Sequence, residues 1–324
     1  AEYGMNFGGS MRHRLALVLA SGVMGCQFAA PQVVEPDVPE IVGPEPPAGP
    51  VVVPPSQASR DLSTYYRRLQ NDLLNQGLLR GDGGGPDTPF TDTLLARNFV
   101  RIALFNEYRD DSDFQRPQAT VSKLRRWTRP IRMSVEFGET VPLEQRDLDL
   151  AGVSAYAARL SRLTGVPIVI TDRNPNFRVL FLGEDDRLAY GPRLREIIPN
   201  ISDATVRTFV NLPRDQLCVV IGTFAPGQSS YTKAVAMIRA EHPNLMRSAC
   251  IHEELAQGMG LANDSPGARP SIFNDDEEFA LLTTHDELLL QMLYDPRLRT
   301  GMEPAVAAPI ARQIAREYLS AGAS

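Results

Sequence analysis

The chain has 324 residues, with 33 Lys or Arg against 39 Asp or Glu and a formal net charge of −6. That length affords one substantial domain with appendages, or two small ones, and no basic run is long enough to follow a phosphate backbone, which argues against nucleic acid as a partner. Of its 26 prolines a cluster lies before residue 56, so a proline-rich tail ahead of a folded domain is expected.

Residues 1–26 read as an export signal. Met11-Arg12-His13-Arg14 is a basic start, a short apolar run follows, and small residues precede Cys26. The run is too short for a comfortable membrane span. Val23-Met24-Gly25-Cys26 resembles the lipobox of bacterial lipoproteins, which implies lipidation of Cys26 and anchoring on the periplasmic face of a bacterial membrane. An ordinary signal peptide with an incidental cysteine is the alternative. Residues 1–10 lie upstream of the start at Met11 and are assigned no function.

Residues 27–57, with Pro44-Glu45-Pro46-Pro47 and Val51-Val52-Val53-Pro54-Pro55, lack a spaced apolar pattern and are expected to be an extended tether. At about 3.1 Å per residue, some 25 residues in the polyproline form would hold a domain on the order of 80 Å from a membrane. Residues 58–119 are expected to form a helical N-terminal segment. Ser59 is the expected cap of a helix through Tyr65, Tyr66, Leu69, Leu73 and Leu74, and Thr91-Asp92 starts a second through Leu95, Phe99 and Ile102.

From Trp127 the pattern changes. Residues 129–137 alternate apolar and polar as a strand does, and residues 142–163 have helical spacing through Leu148, Val153, Tyr156 and Leu160. Strands are expected at 166–170 and 177–182, a short helix at 192–198, and a strand pair at 217–224 and 231–238. Cys250 opens a helix with a glycine stop at Gly260. A further helix over 282–294 has Thr284 and Glu287 as its expected capping box, and residues 303–324 hold a last helix of modest amphipathicity.

On the Cys250 helix, Glu253 and Gln257 share a face, while Glu254 lies about 100° round. This resembles the helix of metzincin zinc peptidases, whose H-E-x-x-H-x-x-G-x-x-H supplies three ligands and a base. Aligned on Gly260, the ligand positions fall on Glu253, Gln257 and Asn263, the base on Glu254, and the residue after the third ligand on Asp264. Starting the motif at His252 matches only its first two letters, so His252 is read as a neighbour of the site. Residues 120–302 are therefore expected to form an α+β, zincin-like domain in which a twisted sheet is backed by an active-site-type helix, with extra N- and C-terminal helices. In Ser271-Ile272-Phe273, Phe273 stands where metzincins carry a methionine beneath the metal.

Glu253-Glu254-x-x-Gln257-x-x-Gly260-Leu261-x-Asn263-Asp264-Ser265, residues 270–276 and Leu293-Tyr294-Asp295-Pro296-Arg297-Leu298 also resemble a family of bacterial exported proteins catalogued as a domain of unknown function. That resemblance implies an architecture and a location and no reaction.

Zinc prefers imidazole, whereas Glu253, Gln257 and Asn263 offer one carboxylate and two amide oxygens. Zinc should bind them poorly, and calcium wants more oxygens than this stretch supplies. No cofactor is expected, a weakly held divalent metal being the alternative. The leading expectation is a pseudo-metallopeptidase that binds a protein or peptide partner at the cell envelope. A divergent hydrolase with Glu254 as general base is second, and a purely structural envelope lipoprotein third. In the oxidising compartment beyond the signal, Cys218 on a strand and Cys250 on the helix are expected to form a disulfide, with a Cys250 thiolate ligand as the alternative. His242, His252 and His285 could form a metal site only if the fold brought them together, which nothing in their spacing requires.

Overall fold

The computed structural model describes residues 52–106, 120–274 and 276–321. The export signal, Cys26 and all but the last residues of the tether lie outside them. Its helices are α1 (Gln57–Asn75), α2 (Asp92–Ala103), α3 (Leu143–Thr164), α4 (Glu184–Ala189), α5 (Gly191–Ile197), α6 (Asp203–Val210), α7 (Asn244–Met259), α8 (Thr284–Tyr294) and α9 (Pro304–Ala321). Its strands are β1 (Phe105–Asn106), β2 (Thr120–Val121), β3 (Ile131–Phe137), β4 (Ile168–Ile170), β5 (Phe177–Leu182), β6 (Cys218–Phe224) and β7 (Tyr231–Arg239). The fold is mixed α+β.

Five strands form one sheet in the order β4-β3-β5-β7-β6, and β1 pairs with β2 separately. Strands β4, β3, β5 and β7 are mutually parallel, while β6 is antiparallel to β7, with Cys218 opposite Ile238 and Gly222 opposite Ala234. A loop of six residues between β6 and β7 permits that reversal, whereas β3 reaches its parallel neighbour β4 through the crossover helix α3. Alternation along the strands sorts the core. Phe177, Val179, Phe181, Ala236 and Ile238 face the layer that holds α3 and α7, and Leu180, Leu182, Val235 and Met237 face α5 and α6. Both faces are covered, which is why β5 and β7 read as nearly continuous apolar runs.

Helices α2, α8 and α9 extend the first core through Leu95, Phe99, Ile102, Leu289, Leu293, Ala311 and Ile314. Helix α2 thus belongs with the sheet domain rather than with α1. Helix α1 makes a separate cluster in which Tyr66 packs with Met246 and Ala280. No helix among the described residues is long and apolar enough to cross a membrane.

Several local expectations shift. The cap of α1 is Ser56, whose hydroxyl accepts from Ser59 N–H at 3.2 Å, and Ser59 instead donates to Glu241 Oε1 at 2.7 Å across 182 residues. Thr91 caps α2 as expected. The capping box of α8 is Thr283 with Asp286, one residue earlier than Thr284 with Glu287, because Asp286 is also needed to accept from Ser271 Oγ at 2.5 Å and Ile272 N–H at 3.0 Å. Helices α4 and α6 are too short for an apolar period to show. Their signals were the acidic first turn Glu184-Asp185-Asp186 and the Ser202 cap.

Candidate binding cleft

Helix α7 is fixed at both ends. Near its start the buried Arg247 meets Asp149 of α3 at 3.1 Å and donates to the carbonyls of Ala240 and His242 at 2.6 and 3.2 Å. Burial pushes the Arg247 guanidinium down and the Asp149 carboxyl up from their ordinary pKa values, each opposed by the other's charge. At the far end Trp127 Nε1 donates to Gly258 O at 2.8 Å and Tyr294 Oη to Met259 O at 2.9 Å, so carbonyls of the last turn that lack helical partners are satisfied from outside.

Two glycines set the helix against its surroundings. A Cβ on Gly258 would lie 2.6 Å from Phe177 Cζ, so the bare backbone lets α7 approach the middle of the sheet. Gly260 ends the helix at φ +124°, and a Cβ there would lie 2.2 Å from Arg125 O. Only glycine fits that turn. Beyond it Leu261 is buried, Ala262 and Asp264 border the cleft, and Asn263 turns inward.

A cavity of about 990 Å³ runs beside the edge strand. One wall is residues 217–224, another comes from residues 198–202, 204 and 205 beyond α5, and the floor carries Glu253, Glu254 and Gln257 of α7 with Asp264. Arg125 also lines it, its guanidinium 4.2 Å from the Phe224 ring centroid and donating to Asn106 Oδ1 at 3.1 Å. Lys233 reaches across to donate to Ile197 O at 2.7 Å, tying β7 to the far wall. Among the described residues β6 has one strand neighbour, so its outer edge faces the cavity unpaired by any strand.

The predicted residues divide. Glu253, Glu254 and Gln257 come together on the cavity floor, with Glu254 buried. Gln257 Nε2 donates to Asp264 Oδ1 at 3.4 Å across the Gly260 turn. Asn263 is 2 % exposed and does not line the cavity; its amide donates to Arg101 O at 2.9 Å, closing the C-terminal end of α2. Asp264 is the residue the turn presents instead. Cys218 and Cys250 form the expected disulfide, with Cα atoms 5.9 Å apart, which joins the first residue of β6 to α7 one turn before Glu253 and Glu254. Cys218 Sγ lies 4.0 Å from Glu253 Oε2, a contact and not a hydrogen bond, since a disulfide sulfur carries no proton. Of the described residues, one group of His, Cys and acidic side chains has donor atoms close enough to hold a metal: Cys218, Glu253 and Glu254, within 4.8 Å of one another.

No histidine belongs to it. His252 Nδ1 accepts from Leu282 N–H at 2.9 Å, and its ring stacks on Tyr156 with centroids 4.0 Å apart. Burial, then the Arg159 charge, lowers its pKa to about 3, so it is a neutral packing residue between α7 and α3. His242 packs edge-on against Tyr66 and donates from Nε2 to Leu217 O at 2.8 Å, with burial again lowering its pKa to about 3. His285 is fully buried beside Asn98. Phe273 is fully buried in the main core.

Two features of the cleft escaped the sequence. The 198–205 wall carries no chemical signature, and α1, expected only to pack on something, braces the approach to β6. Tyr66 Oη donates to Arg214 O at 2.8 Å, and Leu217 lies in the same apolar cluster. Leu62, Tyr66, Leu69 and Leu73, three and four apart, were the available signal.

Residues 92–313 match the model of a family described as Protein of unknown function (DUF2927), a span that takes in the whole sheet, α7 and the cavity and leaves out α1. No curated protein and no solved structure matches the chain.

Proposed function

We propose a function that starts from the family to which the chain belongs, the proteins of unknown function DUF2927. On this reading the chain is an exported lipoprotein anchored through Cys26 on the periplasmic face of a bacterial membrane. Its domain is a metzincin-like pseudo-metallopeptidase that binds an extended protein or peptide segment without cutting it. The observation that carries the reading is the antiparallel edge strand β6 lying along the cavity with the Glu253–Gln257 turn of α7 as its floor. A strand edge offers a row of backbone N–H and C=O groups that an incoming extended segment can pair, while pockets beside it select alternate side chains.

The donor set supports binding over zinc hydrolysis. Glu253 and Gln257 give one carboxylate and one amide, and Asn263 has its amide on the Arg101 carbonyl. A zinc peptidase needs three firm ligands to bring the pKa of the metal-bound water toward neutrality, and Glu254 as base has no purpose without that water. The cleft itself depends on Gly260, the disulfide and β6, none of which requires a metal.

The test is selection of linear peptides from a random library on the purified full chain, followed by amide exchange with and without the best binder. Slowed exchange across Cys218–Phe224, with affinity unchanged within about twofold in Glu254→Gln, is the expected result. Stoichiometric transition metal with peptide cleavage abolished by Glu254→Gln would instead establish the hydrolase. Absence of any protection at β6 would remove the edge-strand reading.

A further inference from the structure

The disulfide occupies an unusual place for a structural crosslink. Cys218 lines the cavity, and its sulfur lies with one carboxylate oxygen each of Glu253 and Glu254 inside a 4.8 Å cluster. Cys250, bonded to Cys218, is 2 % exposed and does not line the cavity. Three potential ligands therefore meet at the start of β6, and Cys250, one bond from Cys218, lies outside that 4.8 Å cluster. In the oxidised chain the two sulfurs are withdrawn, because the thiolate is the ligand and a disulfide sulfur is not. What remains is two carboxylates, too few oxygens for calcium and too few ligands for zinc.

We infer that reduction of Cys218–Cys250 converts this corner of the cavity into a binding site for a divalent metal of zinc's class, with Cys218, Cys250, Glu253 and Glu254 as donors. Two thiolates with carboxylate oxygen favour zinc or cobalt over calcium and manganese. Tetrahedral zinc with sulfur at about 2.3 Å and oxygen at about 2.1 Å sets its ligand atoms roughly 3.5 Å apart. The Cys218, Glu253 and Glu254 donor atoms are about an ångström looser than that, a contraction that turning the long glutamates can supply, and turning the released Cys250 side chain brings its sulfur into the same cluster. The inference goes beyond peptide binding and does not rest on it.

The chemistry balances with a dithiol as reductant. One of its thiolates attacks Sγ of Cys218, the cysteine that lines the cavity. The Cys218–Cys250 bond breaks and Cys250 leaves as a thiolate. The second thiol then attacks the mixed disulfide and expels the Cys218 thiolate, so the reductant departs as its own disulfide with two electrons transferred to the chain. Protons held by the cysteine thiols pass to water when the metal binds.

The experiment titrates Co²⁺, then competing Zn²⁺, into the full chain carrying Cys26→Ser, which removes its third cysteine. Samples are either oxidised or reduced and freed of reductant under anaerobic conditions. The expected result is one Co²⁺ per reduced chain, a thiolate-to-cobalt charge-transfer band displaced by Zn²⁺, and binding at least about 100-fold weaker in the oxidised chain. Glu253→Gln combined with Glu254→Gln, a variant that keeps the disulfide, should weaken the reduced site by about tenfold or more. Equal affinity in both redox states, a reduced chain without the band, or a glutamine variant that binds like the parent would each overturn the inference. So would a chain that unfolds on reduction and does not refold with Zn²⁺.

Discussion

Cys218 and Cys250 fasten the first residue of the edge strand to the turn of α7 that precedes Glu253 and Glu254, so one bond sets the distance between wall and floor of the cleft. The two cysteines are 32 residues apart. Closing a loop of that size contributes about 3 to 4 kcal/mol in the chain-entropy description. Cys218→Ser with Cys250→Ser is expected to lose about that much in a urea titration. The loss should come mainly as a lower midpoint, and amide exchange should quicken first in β6.

Gly260 predicts a sharper effect from a smaller change. Gly260→Ala must place a methyl where Arg125 O already sits, at a φ that side chains rarely adopt. A loss of about 3 kcal/mol or more is expected. Gly165 is the control: its φ of +71° closes α3, but a Cβ there has nothing within 4 Å. Gly165→Ala should cost only about 1 kcal/mol, and similar losses for the two would deny the close approach at Arg125.

The buried histidines predict acid sensitivity. His242 and His252 are each lowered by burial from an ordinary value of 6.5 to about 3 in the folded chain. Above pH 6.5 both states are neutral and the contribution is fully present. As pH falls from 6.5 toward 3 the unfolded chain takes up protons the folded one refuses, so stability declines. Each histidine adds a slope of up to about 1.4 kcal/mol per pH unit. Glu241, whose pKa burial raises, works in the opposite direction. Urea midpoints between pH 7 and 4 should fall steadily, and His252→Gln should flatten the slope by about one proton. A slope untouched by that variant would mean that His252 titrates freely.

The sequence revealed the cleft's floor and wall better than its far side. The strand pair at 217–224 and 231–238, helical spacing through Gln257 and the glycine stop at Gly260 each have a local physical cause, and the corresponding elements stand close to where those patterns put them. Cys218 and Cys250 could be paired because few cysteines left few choices. The capping box of α8 was misread by one residue because Thr283 and Thr284 are locally equivalent, and only Ser271 and Ile272, distant in sequence, make Asp286 the partner. Ser59 looked like a cap for a similar reason. Its real partner, Glu241, is a tertiary contact that no periodicity encodes. The wall at 198–205 is defined by where α5 and α6 pack and has no chemistry of its own.

Asn263 is where local pattern and tertiary structure part most clearly, and it gives the last prediction. Counting from Gly260 gives it the third ligand position of a metzincin helix, and a better ligand there would be aspartate. Its amide, however, is a buried donor to Arg101 O at 2.9 Å and satisfies a carbonyl near the end of α2. A carboxylate cannot donate that bond. Asn263→Asp would place a charge against a carbonyl oxygen in a site that is 2 % exposed, whereas Asn263→Ala would leave only the carbonyl unpaired. The alanine variant is expected to lose about 1 to 3 kcal/mol and the aspartate variant more, about 3 to 5 kcal/mol unless it takes up a proton. Neither should raise metal affinity. Denaturant titrations at pH 7 and 5 separate the cases, since the aspartate variant should regain part of its loss at the lower pH, where protonation removes the buried charge. If Asn263→Asp were instead as stable as the parent and bound Zn²⁺ more tightly, the residue would be facing the cleft, and the assignment of Asp264 as the side chain presented there would have to be withdrawn.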